Sequence, residues 1–143
     1  MLIIGCGNRQ RGDDAAGLLA AEKLSAFGIA AHACSGEPAE LIEAWAGSDD
    51  VVVIDAVVTG APLGTVHVWD GHQLPKFQTA AHSTHGLGVA EAIPLARVLS
   101  RLPAKLRVFG IEGARFGVRS AVSLEVERGV EETVKQIVRE ARP

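Results

Sequence analysis

Apolar and polar residues alternate along this chain in blocks that switch repeatedly between strand-like and helix-like spacing. Leu2-Ile3-Ile4 is a short, wholly apolar run that breaks at Gly5-Cys6-Gly7. Ala15 to Phe27 then repeats apolar residues at helical spacing through Leu18, Leu19 and Leu24, with Gly28 placed to end the helix. Ile29 to Cys34 reads as a second strand, and Glu37 to Ala46 as a short helix with Pro38 at its start and Leu41, Ile42 and Trp45 on one face. Val51-Val52-Val53-Ile54 is apolar at every position, which marks a central parallel strand covered on both faces. Thr65 to Trp69 alternates and predicts an edge or antiparallel strand. Asp70 to Gly88 has the least regular pattern and carries His72, His82 and His85. A helix is predicted from Val89 to Leu102, kinked by Pro94 or starting near it, then a strand from Leu106 to Ile111. A terminal helix capped by Ser123 runs to about Ala141, with Val126, Val130, Val134, Ile137 and Val138 on one stripe.

The order β-α-β-α-β-β-α-β-α predicts an α/β fold, a three-layer sandwich. A mostly parallel sheet of roughly five strands would be flanked by helices on both faces, because right-handed crossovers distribute them so. The 143 residues fit one domain, 1–143, with no repeat or composition break. A net charge of −3 gives no electrostatic footprint for nucleic acid or an anionic membrane. Without a long apolar run or a basic, cleavable leader, the expected setting is the cytoplasm. Cys6 and Cys34 have no metal-binding spacing and read as small core residues of a reducing compartment.

The chemistry concentrates where strands end. The first turn offers Asn8, Arg9, Arg11, Asp13 and Asp14, and the third strand ends in Asp55. A dinucleotide fingerprint fails because Gln10 stands where a third glycine is needed. A phosphate loop fails because Asp13-Asp14 occupy the positions of Lys and Ser or Thr. Carboxylates repel a phosphate from a helix N-terminus, so the turn presents acid. The plain alternative makes Asp13 an N-cap and Asp14 a first-turn charge. Asp55 is harder to explain structurally, since an acid after four buried residues is costly unless solvated or paired.

If the first and third strands are neighbours, Asp14, Asp55 and His85 converge. Two carboxylates and an imidazole suit a divalent ion such as nickel, zinc or manganese and leave open coordination positions. The same trio could instead perform acid/base chemistry without metal, and His85 could merely cap the helix that follows it.

Several segments together resemble the hydrogenase maturation protease family. They are Gly5-x-Gly7-Asn8 with Asp13-Asp14 and Gly17, Ile54-Asp55-Ala56, Ser83-Thr84-His85, Phe109-Gly110-Ile111-Glu112 and Leu124-Glu125-Val126. The resemblance implies a five-stranded sheet and an endopeptidase that removes a C-terminal extension from the nickel-iron hydrogenase large-subunit precursor after nickel insertion. It also implies that Asp14, Asp55 and His85 contact a nickel ion belonging to the substrate, with Asn8 and Asp13 as neighbours and a monomer as the working state. Asp14 or Asp55 would double as catalytic base, since no serine elbow or obvious nucleophilic cysteine is present. Ala15, Gln10 and Gly113 depart from the family's usual residues. Two other readings compete: a nucleotide- or phosphate-binding α/β module, and a maturation scaffold that binds a metalloprotein precursor without cutting it.

Overall fold

A computed structural model describes residues 1–75 and 88–142. The strands are β1 (Leu2–Cys6), β2 (His32–Cys34), β3 (Asp50–Val57), β4 (Val66–Asp70) and β5 (Lys105–Glu112). The helices are α1 (Ala16–Ala26), α2 (Pro38–Trp45), α3 (Gly88–Val98) and α4 (Leu124–Ala141), and 3-10 turns occupy Gly12–Ala15 and Gly71–Gln73. The strands form one sheet in the order β2-β1-β3-β5-β4. All neighbouring pairs are parallel except β4–β5, where β4 lies antiparallel at the edge.

The wholly apolar run on β3 is explained by its two packed faces. Val51 and Val53 join Ile4, Leu106 and Val108 against Leu41, Ile42 and Trp45 of α2 and Val89, Ala92, Ile93 and Ala96 of α3. Val52 and Ile54 join Ile3, Phe109 and Ile111 against α1 and α4. Each strand thus feeds two cores on alternate residues, which is the three-layer arrangement. Trp45 is buried, and its indole N–H donates to the Arg101 carbonyl at 2.9 Å.

The glycines of the first turn serve close packing rather than a phosphate. A Cβ on Gly5 would lie 2.1 Å from the Gly17 carbonyl oxygen, and one on Gly17 would lie 2.3 Å from the carbonyl oxygens of both Cys6 and Ile54. Helix α1 therefore rests directly on the backbones of β1 and β3. Gly17→Ala is expected to cost about 3 kcal/mol, because the colliding atoms are backbone and cannot rotate away. Urea unfolding of the variant checks this.

Two elements depart from the expected boundaries and a third from its expected cap, each for a local reason. The second strand is only His32–Cys34, because Ile29 is spent closing α1: Gly28 takes φ +80° and the Ile29 N–H bonds the Leu24 carbonyl at 3.0 Å. Helix α3 ends at Val98 rather than Leu102. Ser100 adopts φ +55° there, and the Arg101 N–H reaches back to the Ala96 carbonyl at 2.8 Å. Pro94 lies inside that helix, where it removes one backbone donor. Ser123 occupies the N-cap of α4 but its hydroxyl makes no cap bond. It donates instead to Asp13, at 3.0 Å.

Candidate active site

The strand order reverses direction between β1 and β3, and an open α/β sheet has its natural ligand crevice at such a point, beyond the carboxyl ends of the strands. Both strands end there in acid-bearing segments. Beyond β1, Gly7 takes φ +147°, and a Cβ there would sit 1.8 Å from the Asp14 carbonyl oxygen. The turn folds back on itself: the Asn8 N–H donates to that oxygen at 3.2 Å, and the Asp14 N–H donates to the Arg11 carbonyl at 3.0 Å. Asp14 is thereby fixed, half-buried, over the end of β1.

Asp55 falls within the last turn of β3's pleat on the face shared with Val51 and Val53, and is 8% exposed. Its Oδ1 accepts from the Ala56 N–H at 2.9 Å and its Oδ2 from the Val89 N–H at 3.4 Å, in the first turn of α3. Burial pushes the Asp55 carboxyl up to about 7, and the charge of Asp14 adds to the rise against the pull of those two N–H groups. The pair therefore holds a proton near neutral pH that neither ordinary carboxylate would keep. A cavity of about 20 Å³ is lined by both acids together with Gly7, Ser35, Gly36, Ala56 and Gly88. It is the size of one water or one ion. A Cβ on Gly88 would lie 2.3 Å from Asp55 Oδ2, so a side chain there would displace the carboxylate.

His85, the third member of the expected set, lies outside the described residues, as do His82, Ser83 and Thr84. Among the described residues no cluster of three or more His, Cys, Asp or Glu is placed to hold a metal ion. The structure thus brings Asp14 and Asp55 together and leaves the two of them as the described acid pair.

The model of the hydrogenase maturation protease family, HycI, matches residues 36–140, well over half of the chain. The chain belongs to the hydrogenase maturation protease family. It is similar to the hydrogenase 2 maturation protease of Escherichia coli, 27% identical over 145 residues that cover 96% of this chain and 88% of that one. Among solved structures, the NiFe hydrogenase maturation protease HybD from Thermococcus kodakarensis superposes with a TM-score of 0.76 at 25% identity, covering 99% of this chain and 98% of the other. An endopeptidase from Escherichia coli reaches a TM-score of 0.82 at 24% identity over 99% and 93% of the two chains, a likeness of fold.

Other polar residues of this maturation protease family member have structural duties that the pattern alone did not reveal. Asp13 is no N-cap of α1, whose N-cap position has no side-chain bond. It is fully buried, and its carboxylate crosses to the segment before α4. Oδ2 accepts from the N–H groups of Ala114 and Arg115 at 2.9 and 2.8 Å and from the Ser123 hydroxyl, while Oδ1 accepts from the Ser123 N–H at 2.8 Å. Burial draws the Asp13 carboxyl upward, but these bonds together outweigh it and hold it below the usual carboxylate range.

Glu112, at the end of β5, is also buried and lies outside the expected site residues. Its Oε1 accepts from the Thr59 hydroxyl at 2.6 Å and from His67 Nε2 at 3.1 Å, and its Oε2 from the Thr59 N–H at 2.7 Å. It ties the segment after β3 to the edge strand, where His67 stacks on Trp69 with ring centroids 4.7 Å apart. A buried acid ending an otherwise apolar strand was the available signal, the same one that marked Asp55. His72 is a structural donor too, with Nε2 2.8 Å from the Pro103 carbonyl.

Both cysteines are free, buried thiols. Cys6 and Cys34 are buried partners in the β1–β2 register. The hydrogen bond that the Cys6 thiol donates to Cys34, with burial, pushes the Cys6 thiol well above its usual value, and the same bond lowers that of Cys34.

Proposed function

We propose that this chain is an endopeptidase that removes a C-terminal extension from a nickel-iron hydrogenase large-subunit precursor after nickel insertion. The reading rests on one observation above the others: two carboxyl groups face a single ion-sized cavity at the switch point of a fold belonging to this family. Asp14, Asp55 and His85 are assigned to the nickel, which belongs to the substrate rather than to the free enzyme. Three oxygen and nitrogen ligands leave coordination positions for donors that the precursor itself brings.

The raised Asp55 carboxyl fits this role. With no cation present, Asp55 can stay protonated and limit repulsion from Asp14; an arriving divalent ion displaces the proton and is held by both carboxylates. Recognition of the ion then sets the scissile bond beside the site by proximity, and Asp14 or Asp55 takes a proton from the attacking water. The working environment is the cytoplasm and the working state a monomer. Among the described residues no helix is long and apolar enough to cross a membrane.

The Gly5-x-Gly7 turn gives a phosphate-binding module no support, since its glycines are occupied by backbone contacts with Gly17 and Asp14. The test is processing of purified nickel-loaded precursor beside nickel-free precursor, read by mass spectrometry of the precursor's C-terminus. Loss of a C-terminal peptide is expected only with nickel. An intact precursor in both states would favour the non-cutting scaffold, and equal cleavage in both would remove the nickel requirement.

A further inference from the structure

Cys6 and Cys34 are the chain's two cysteines, and the fold sets them side by side. They are register partners on neighbouring parallel strands, and both belong to the core face shared with α2 and α3. Partner Cα atoms on adjacent strands lie about 4.8 Å apart, inside the span that a disulfide bridges. The Cys6 thiol already donates a hydrogen bond to the Cys34 sulfur, so no other side chain stands between the two. That bond and the Gly36 N–H lower the Cys34 thiol against the opposing effects of burial and Glu40. The pair is thus polarised, with thiolate favoured at Cys34 and thiol at Cys6.

The same pair sits where the acid-lined cavity is built. Gly7, directly after Cys6, and Ser35 and Gly36, directly after Cys34, line that cavity with Asp14 and Asp55. The two strand ends are joined by the Gly7 N–H, which donates to the Cys34 carbonyl at 3.1 Å. Ser35 is held in turn by Glu40, whose carboxylate accepts its N–H at 3.1 Å and its hydroxyl at 2.5 Å. β1 has a strand on either side and α1 against its backbone at Gly5. β2 is a three-residue strand at the sheet edge, with His32, Ala33 and the following Ser35 exposed. Local opening of so short an edge strand uncovers Cys34 while β1 stays in place.

We infer that Cys6 and Cys34 are a site of reversible oxidation by a peroxide, closing an intramolecular disulfide that shifts the wall of the Asp14 and Asp55 cavity. Cys34, as thiolate, attacks one peroxide oxygen. The O–O bond breaks, Cys34 becomes a sulfenic acid, and the hydroxide that leaves takes up the proton Cys34 released. The Cys6 sulfur then attacks the Cys34 sulfur, the S–O bond breaks, and the Cys6 proton departs with the oxygen as water. The two thiols lose two electrons and the peroxide is reduced to two waters. A covalent bond is shorter than the thiol contact it replaces, and β2, held less firmly than β1, is the side that moves. In a cavity with room for one ion, a displaced Ser35-Gly36 wall changes what fits beside the two acids. Transient, redox-sensing disulfides are the kind found in reducing compartments.

The effect on processing rests on the proposed function, whereas the cross-link does not. The experiment treats folded, reduced wild type with hydrogen peroxide, removes the peroxide, and maps peptides without reductant by mass spectrometry. A Cys6–Cys34 link within one chain is expected, lighter by two hydrogen atoms and reopened by dithiothreitol. Thiols that stay free, or that link only between chains or only in urea, overturn the inference. The oxidised protein is then given nickel-loaded precursor, and processing is expected to fall at least about tenfold and to recover once dithiothreitol has been applied and removed. Cys34→Ser, which has no second thiol to link, should process equally before and after peroxide; Cys6→Ala takes its place if the serine disturbs folding. A linked protein that processes within about twofold of the reduced one, or a Cys34→Ser variant that loses as much to peroxide, also overturns the inference. If reduced wild type leaves the loaded precursor intact, the proposed function falls, and the peptide map by itself decides the cysteine pair.

Discussion

Asp55→Asn is expected to abolish precursor processing while making the folded protein more stable at neutral and alkaline pH. The two effects share one cause. In the folded chain the Asp55 carboxyl is raised to about 7 by burial and by the Asp14 charge. An unfolded aspartate titrates near 4. Between those values the folded state binds the proton more tightly than the unfolded state, so stability falls as pH rises, by up to about 1.4 kcal/mol for each pH unit, and above about 7 the whole penalty is carried.

An asparagine carries no charge and removes that slope. The variant should therefore melt several degrees above wild type at pH 8 and close to it near pH 4, which calorimetry at the two pH values reads directly. Activity should move the other way. If, as proposed, the two carboxylates hold the substrate's divalent ion, removing one is expected to cut the rate of processing by at least about 100-fold. In the wild type, processing should also weaken below pH 7 as protons compete with the cation for Asp55. A variant that lost stability at pH 8, or still processed at the normal rate, would contradict this account of the site. Stability given up at a site for the sake of chemistry is a common trade.

Asp13→Ala should be the most destabilising single substitution at this end of the sheet, by about 3–5 kcal/mol, because it strands donors in a buried setting and removes the attachment of the segment before α4. All four donors now meet one carboxylate. Asp13→Asn should cost less, about 1–3 kcal/mol: with its carbonyl oxygen in the place of Oδ2 it keeps three donors, but its NH₂ then faces the Ser123 N–H.

The pH signature is the opposite of that for Asp55. The Asp13 carboxyl lies below its ordinary range in the folded state, so the stability it confers is fully present above the unfolded value near 4. It is lost as pH falls further, through the folded value. Wild type should show an acid-unfolding limb below pH 4 that is shallower in Asp13→Asn. Urea titrations at pH 7 and pH 3 measure both the cost and the limb.

The sequence by itself determined the layers of this protein. An apolar β3, striped helices and an alternating β4 can each bury their apolar surface in only a few ways, and local patterning already encodes those faces. It also drew attention to Asp55, because an acid after a buried apolar run is costly enough to stand out, and to Asp14 as an acid of the first turn. Tertiary structure decided what pattern cannot express, namely which distant backbone each polar group meets. Asp13 and Asp14 are adjacent and chemically identical, and either could cap a helix on local grounds. Asp13 is turned to donors about a hundred residues away, at Ala114, Arg115 and Ser123, while Asp14 and Asp55 line one small cavity. The glycines divide the same way. Gly5, Gly7 and Gly17 suggest a phosphate loop when read along the chain, and only the approach of α1 to β1 and β3 explains them as contacts without room for a side chain. Such contacts depend on how the sheet is ordered, and strand order is a property of the whole chain rather than of any segment.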